Sequence, residues 1–298
     1  MSQPAGEPAP SGAALGHSRT SVWITDASLV FMALIWGANF IVVKYGTGQL
    51  APIAFNGARL MLASVALLIL AFALRRLRVS RRDLIALLLL GVLGNGVYQV
   101  LFVEGLALTR AGDAALVVAA SPALVALIGR LLGVERIGLR GSVGIALSIV
   151  GIGFVVYSGT RVVVQGASVT GDLLVLVGSV AWALYTVLLT PYTRRLNDVT
   201  VSTYTMLGGT AALGLMAVPA VVRTPWAALS FTAWGAILYS GLGSLVLAYL
   251  FWYRGIRVIG PTRTAMYSNL QPLFALVVAW AVLTETPTPW QWVGAAFI

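Results

Sequence analysis

Residues 84–106 read Leu-Ile-Ala-Leu-Leu-Leu-Leu-Gly-Val-Leu-Gly-Asn-Gly-Val-Tyr-Gln-Val-Leu-Phe-Val-Glu-Gly-Leu, and this run decides the fold. It spans 23 residues, and its only charge is Glu104, near its end. At about 1.5 Å rise per residue, a helix of that length reaches roughly 34 Å, enough to cross the ~30 Å hydrocarbon core of a bilayer. A barrel strand would be about ten residues long and would alternate polar with apolar, which this run does not do. Nine further apolar runs accompany it, at about 23–43, 53–74, 112–132, 141–158, 172–190, 200–221, 229–252, 262–283 and 288–298. Hydrophobic residues make up 59% of the 298, charged residues only 9%, and the mean hydropathy is +0.93. A soluble domain carries about 25% charged residues and could not hide this much apolar surface. Composition thus excludes an ordinary soluble enzyme and a disordered chain, and the lack of Cys excludes a disulfide scaffold. The fold class is an all-α membrane protein of ten transmembrane helices. The tenth run ends at Ile298 after eleven residues, too short to span, so the last helix is expected to be truncated.

The net charge of +10 does not point to nucleic acid. The basic residues do not cluster with interleaved aromatics; they fall in the short breaks between apolar runs, where anchoring Lys and Arg belong. With the N-terminus inside, the cytoplasmic segments hold 14 Lys and Arg and the external segments hold 4, with Arg59 inside the second run. That asymmetry places both termini in the cytoplasm. Residues 1–21, rich in Pro, Gly, Ala and Ser, read as a disordered cytoplasmic tail that contains His17, the only His.

Residues 91–148 slide onto 241–298 without gaps, at an offset of 150. Gly91 meets Gly241, Gly105 meets Gly255, Pro122 meets Pro272, Glu135 meets Glu285, and Gly144 meets Gly294. Rare residues carry the argument, because two of only four Glu align. Trp36 aligns with Trp182 at an offset of 146, a small gap away. The halves are therefore residues 22–158 and 172–298, joined by an external loop at 159–171. Each half is read as five helices. Five is odd, so the second half crosses in the opposite sense, giving two inverted-topology repeats.

Ten runs in two halves, Trp-Gly-Ala-Asn-Phe from Trp36 to Phe40, Arg59 in the second run, Ser121-Pro122 in the fourth and Gln271-Pro272 in the ninth form an ordered set. Over about residues 22–298 that set resembles the drug/metabolite transporter superfamily, EamA type. Within it the chain is most similar to bacterial exporters of aromatic and other neutral amino acids, the YddG type. The resemblance implies efflux across the bacterial inner membrane, with a central cavity between the halves. Proton antiporters among the small multidrug relatives depend on a Glu in the first helix. This chain departs from that pattern, since its first run holds only Asp26, close to the inner end.

Catalytic groups are absent from the apolar runs: a single His excludes a zinc-binding His pair, and its place in the tail, at His17, leaves no membrane-embedded Ser–His pair. No catalytic, metal or cofactor site is expected, and no Walker loop marks ATP use. The expected partners are a small-molecule substrate and the lipid bilayer, with the chain acting as a monomer. Trp36, Asn39, Phe40 and Val43 share one helix face, as do Trp182, Tyr185, Thr186 and Leu189. A mid-membrane amide is costly unless it meets a partner or a wet cavity. The candidate substrate residues are therefore Trp36, Asn39, Tyr98, Gln99, Ser121, Trp182, Tyr185, Tyr249, Asn269 and Gln271. Pro122 and Pro272 are candidate hinges. Each removes a helical hydrogen bond, which frees the carbonyls of Val118 and Ser268 for a ligand or for a kink. Glu104 admits two readings, a proton or substrate-amine site and an interfacial residue that meets Arg110 or water. Arg59, roughly 10 Å into its helix, grips a carboxylate bidentately, snorkels outward, or caps helix carbonyls between helices. These residues lead to the expectation of a secondary exporter of neutral or aromatic amino acids working by alternating access without proton coupling. The alternatives are a proton-coupled exporter of drugs or other metabolites and, in another class, an intramembrane enzyme.

Overall fold

In the absence of water, every backbone N–H and C=O within a bilayer must be satisfied inside its own segment or by a neighbour, and helices do this most simply. The computed structural model describes residues 19–134 and 169–283, with helical positions 143, 146, 147 and 150 between them. These residues form α1 (Arg19–Gln49), α2 (Pro52–Ala73), α3 (Arg81–Leu108), α4 (Ala111–Leu131), α5 (Val169–Arg195), α6 (Asp198–Arg223) and α7 (Phe231–Ile259). An eighth helix, α8, is made of Pro261–Met266, a 3₁₀ turn at Tyr267–Leu270 and Gln271–Leu283. Among the described residues no strand occurs, and α1 to α7 are each long and apolar enough to cross a membrane. The fifth apolar run beyond its four helical positions, the stretch before Val169 and the tenth run lie outside the described residues, as do His17, Glu135, Glu285 and the tail up to residue 18. α1 begins at Arg19, inside what composition assigned to the tail.

Local chemistry sets the helix ends. Ser80, Asn197 and Ser230 cap α3, α6 and α7, their side-chain oxygens accepting the N–H groups of Asp83, Val199 and Ala233. Pro52 opens α2, and Pro261 opens α8 after Gly260, whose φ of 88° turns the chain sharply out of α7. Lys44 of α1 donates to the carbonyls of Leu106, Ala107 and Thr109 (3.2, 3.1 and 2.6 Å) at the end of α3. A cation there complements the negative end of the helix dipole. This gives Lys44 a helix-capping contact rather than a simple place at the interface.

Side chains sort as a bilayer demands. Phe231 and Leu215 point outward, 92% and 85% exposed, while Asn39, Asn56, Arg59, Gln99 and Gln271 are buried. Two irregularities recur at the 150-residue offset read from the sequence. α3 widens into a π-helical segment at Val92–Val97, and α7 does so at Tyr239–Leu247. α4 is interrupted at residues 119–120 before Ser121-Pro122, and α8 is interrupted at Tyr267–Leu270 before Gln271-Pro272. Pro122 and Pro272 thus stand at helix restarts, where a missing N–H costs least.

Candidate functional site

All the described helices except α6 contribute to a central cavity with about 30 Å³ of water-accessible volume, room for about one or two water molecules and far less than the roughly 300–1,000 Å³ of an open small-molecule site. Aromatic rings fill the middle of it. Trp36 of α1 is at the hub, with its ring centroid 5.9 Å from Trp182, 5.7 Å from Tyr249 and 5.4 Å from Trp252. Trp182 in turn packs on Tyr98 at 4.9 Å. Edge-to-face and tilted contacts of this kind suit the ring quadrupoles. The indole N–H of Trp36 donates to the carbonyl of Ser244 at 3.1 Å, within the π segment of α7. A π turn leaves carbonyls off the ordinary helical ladder, which suits such a contact.

A polar cluster meets this aromatic wall. Gln99 donates through Nε2 to the Tyr249 hydroxyl at 2.9 Å, and its own carbonyl accepts from Asn56 Nδ2 at 3.0 Å. Arg59 is fully buried. Its Nε donates to Asn56 Oδ1 at 3.0 Å, one terminal nitrogen donates to Ser240 Oγ at 2.7 Å, and the other donates to Gln99 Oε1. Asn39 Oδ1 is buried with no hydrogen-bond partner among the described residues. Two contacts join positions that the repeat equates. Gln99 and Tyr249 are 150 residues apart, and Trp36 and Trp182 are 146 apart.

Eight of the ten substrate residues expected from sequence line this cavity: Trp36, Asn39, Tyr98 and Gln99, then Ser121, Trp182, Tyr249 and Gln271. Tyr185 and Asn269 do not. Tyr185 is buried behind Trp182, 5.3 Å between rings, and shares a 2.7 Å hydrogen bond with the Tyr253 hydroxyl. It supports the wall rather than forming it. Asn269 is exposed, and Ser268 lines the cavity in its place. The 3₁₀ turn advances each residue further around the axis than an α-helix would, so the α-helical face count misplaces this pair. The carbonyls expected to be freed by proline are both in use. Val118 accepts from the Ser121 hydroxyl, and Ser268 accepts from the Gln271 N–H. Buried carbonyls find partners, here within their own turn. Glu104 is half-buried and lies outside the cavity lining.

Sequence reasoning passed over Phe102 and Ser244, and named Val118 and Ser268 only for their backbone carbonyls; all four line the cavity. Phe102 follows Tyr98 and Gln99 at helical spacing and was legible. Ser244 and Ser268 lie on irregular turns, where that spacing fails. Arg59 faces the cavity rather than the lipid headgroups, so the snorkelling alternative is set aside. Asn56, one turn before it, was the available signal for a held guanidinium.

A polytopic bundle that turns polar groups and rings inward onto an enclosed space, with lipid-compatible side chains outside, has the build of a small-molecule carrier. The chain belongs to the EamA-like transporter family, whose model matches residues 23–157 and again 169–298, one match in each half. It is a multi-pass membrane transporter and not an enzyme. It is 28% identical over 273 residues to "Uncharacterized transporter YyaM" of Bacillus subtilis (strain 168), covering 91% of this chain and 89% of the relative. It is 29% identical over 276 residues to "Probable terminal-alkyne amino-acid exporter" of Streptantibioticus cattleyicolor, covering 93% and 90%. A solved crystal structure superposes with a TM-score of 0.67 at 19% identity over 94% of both chains, a likeness of fold.

Proposed function

We infer that this transporter exports small metabolites, chiefly aromatic and other neutral amino acids, across the bacterial inner membrane by alternating access. The observation that carries this reading is the ring-walled, amide-bearing cavity formed by helices from both halves. A flat aromatic side chain would insert between Trp36, Tyr98 and Trp182, while Gln99, Gln271 and Asn39 offer amide contacts to polar ends. The relative named as an amino-acid exporter agrees with this cargo. Ten helices in two inverted five-helix repeats, both termini cytoplasmic, complete the reading. Contacts between repeat-equivalent residues support it, because equivalent positions meet only near the axis that relates the halves. Pro122 and Pro272 would act as hinges at the helix restarts, with the π segments of α3 and α7 as compliant points. Substrate would enter from the cytoplasm, displace the packed rings and leave outward when the halves rock.

The test is uptake of labelled tryptophan, phenylalanine and leucine into liposomes that contain the purified protein. Saturable uptake is expected, lowered about tenfold or more by Trp36→Ala or Trp182→Ala for the aromatic pair and less for leucine. A tenfold loss corresponds to about 1.4 kcal/mol, within the worth of two or three aromatic contacts. Unchanged uptake in both variants, with the fold retained in detergent, would remove these rings from the site.

A further inference from the structure

Among the described residues that line the cavity, Arg59 alone is charged. Its three hydrogen-bond partners, Asn56, Ser240 and Gln99, are all neutral. Hydrogen bonds to neutral acceptors satisfy donors but do not cancel charge, and a buried charge without a counter-charge is costly. A protein that needed only packing here would do better with an apolar side chain. A guanidinium carries five N–H donors. With Nε spent on Asn56 and one donor of each terminal nitrogen spent on Ser240 and Gln99, one N–H remains on each terminal nitrogen. That pair is the fork left to offer a carboxylate two hydrogen bonds, one from each terminal nitrogen. The three neutral partners come from three helices, α2, α3 and α7, so the fork is fixed in direction before a ligand arrives.

The opposite end of a zwitterion finds no equivalent. No Asp or Glu is among the described lining residues, and the unpartnered acceptor on offer is the neutral Asn39 Oδ1. A monoanion would bring the cavity to neutrality, whereas a cation would add to a charge already uncompensated in low dielectric. We propose that Arg59 is the cavity's anion receptor, and that the cavity takes organic monocarboxylates with a bulky apolar or aromatic body, for which an amino group is dispensable. The proposal rests on the reading of this cavity as the transport site, and widens the cargo from amino acids to carboxylates of the same shape.

Three probes that share one ring and differ in charge decide it: 3-phenylpropionate, phenylalanine and phenethylamine. Binding is read as ligand-induced thermal stabilisation of the purified protein, and transport as competition with labelled phenylalanine in liposomes. The expected order is 3-phenylpropionate equal to or tighter than phenylalanine, with phenethylamine weaker by about tenfold or more, the range of a charge-assisted hydrogen bond. Arg59→Gln should bring the three probes within about threefold of one another. Arg59→Lys, which keeps the charge and loses the fork, should keep the order with a smaller spread. The wild-type series needs no variant, so misfolding of a substitution does not blunt the test. If phenethylamine binds as well as 3-phenylpropionate, or none of the three stabilises the protein, the proposal is overturned. If 3-phenylpropionate binds through Arg59 but no probe is transported, the transport reading falls and the anion receptor stands.

Discussion

At the crossing of α3 and α6, Gly91 lies against the backbone of Thr205. A Cβ at residue 91 would come within 2.0 Å of the Thr205 carbonyl oxygen, where ordinary contact starts near 3.4 Å, so the two helices would have to part by about 1.4 Å. The obstacle is backbone, which has no rotamer to yield. A short distance away Gly208 of α6 makes the reciprocal approach, where an added Cβ would come within 2.1 Å of the Leu88 carbonyl oxygen, so the crossing is held tightly from both sides. Overpacking typically costs about 1–3 kcal/mol, and a rigid backbone contact belongs at the upper end. Ala is favoured over Gly in a helix by about 1 kcal/mol, which offsets part of it. For Gly91→Ala the expected net loss is therefore about 2 kcal/mol. Gly214→Ala in α6 is the matched control, since a Cβ there meets nothing within 4 Å. It should gain up to about 1 kcal/mol from propensity alone. Thermal unfolding in detergent compares the two. Gly91→Ala should unfold well below the parent and Gly214→Ala at or above it. Transport should fall with Gly91→Ala as well, because Tyr98 and Gln99 lie two turns further along the displaced helix. Equal stability of the two variants would mean that α3 and α6 do not approach this closely, and the argument from close packing would fail.

A reporter fused between Arg75 and Arg82 should lie in the cytoplasm, and one between Thr224 and Ser230 on the opposite side; both on one side would sink the topology. An imposed pH gradient without a substrate gradient should drive no accumulation in liposomes, and Glu104→Gln should leave uptake unchanged, since Glu104 lies outside the cavity lining. Accumulation abolished by that substitution would establish proton coupling instead. Tyr267→Phe removes the hydroxyl that donates to Asp26 Oδ1 at 2.8 Å between α8 and α1. It should cost about 1 kcal/mol in unfolding, and an unchanged melting temperature would show that this contact does not hold the two helices together.

The sequence by itself determined the membrane class, because runs near 20 apolar residues have no other stable home. It determined the two matching halves, because Pro122 with Pro272 and Glu135 with Glu285 are residues too sparse to align by composition. It also put Trp36 and Gln99 on inward faces, because regular helical spacing holds around Trp36 and a buried amide must find a partner. Only the tertiary structure decided the rest. Whether Ser268 or Asn269 faces inward turns on a 3₁₀ turn, and the inward placement of Ser240 and Ser244 turns on a π segment. One residue more or less per turn rotates a face by about 100°, and no periodicity in the sequence announces it. Arg59 shows the same limit in another form. Its depth was legible, but its direction depended on acceptors 181 and 40 residues away, Ser240 and Gln99, which only the packed bundle brings to its guanidinium.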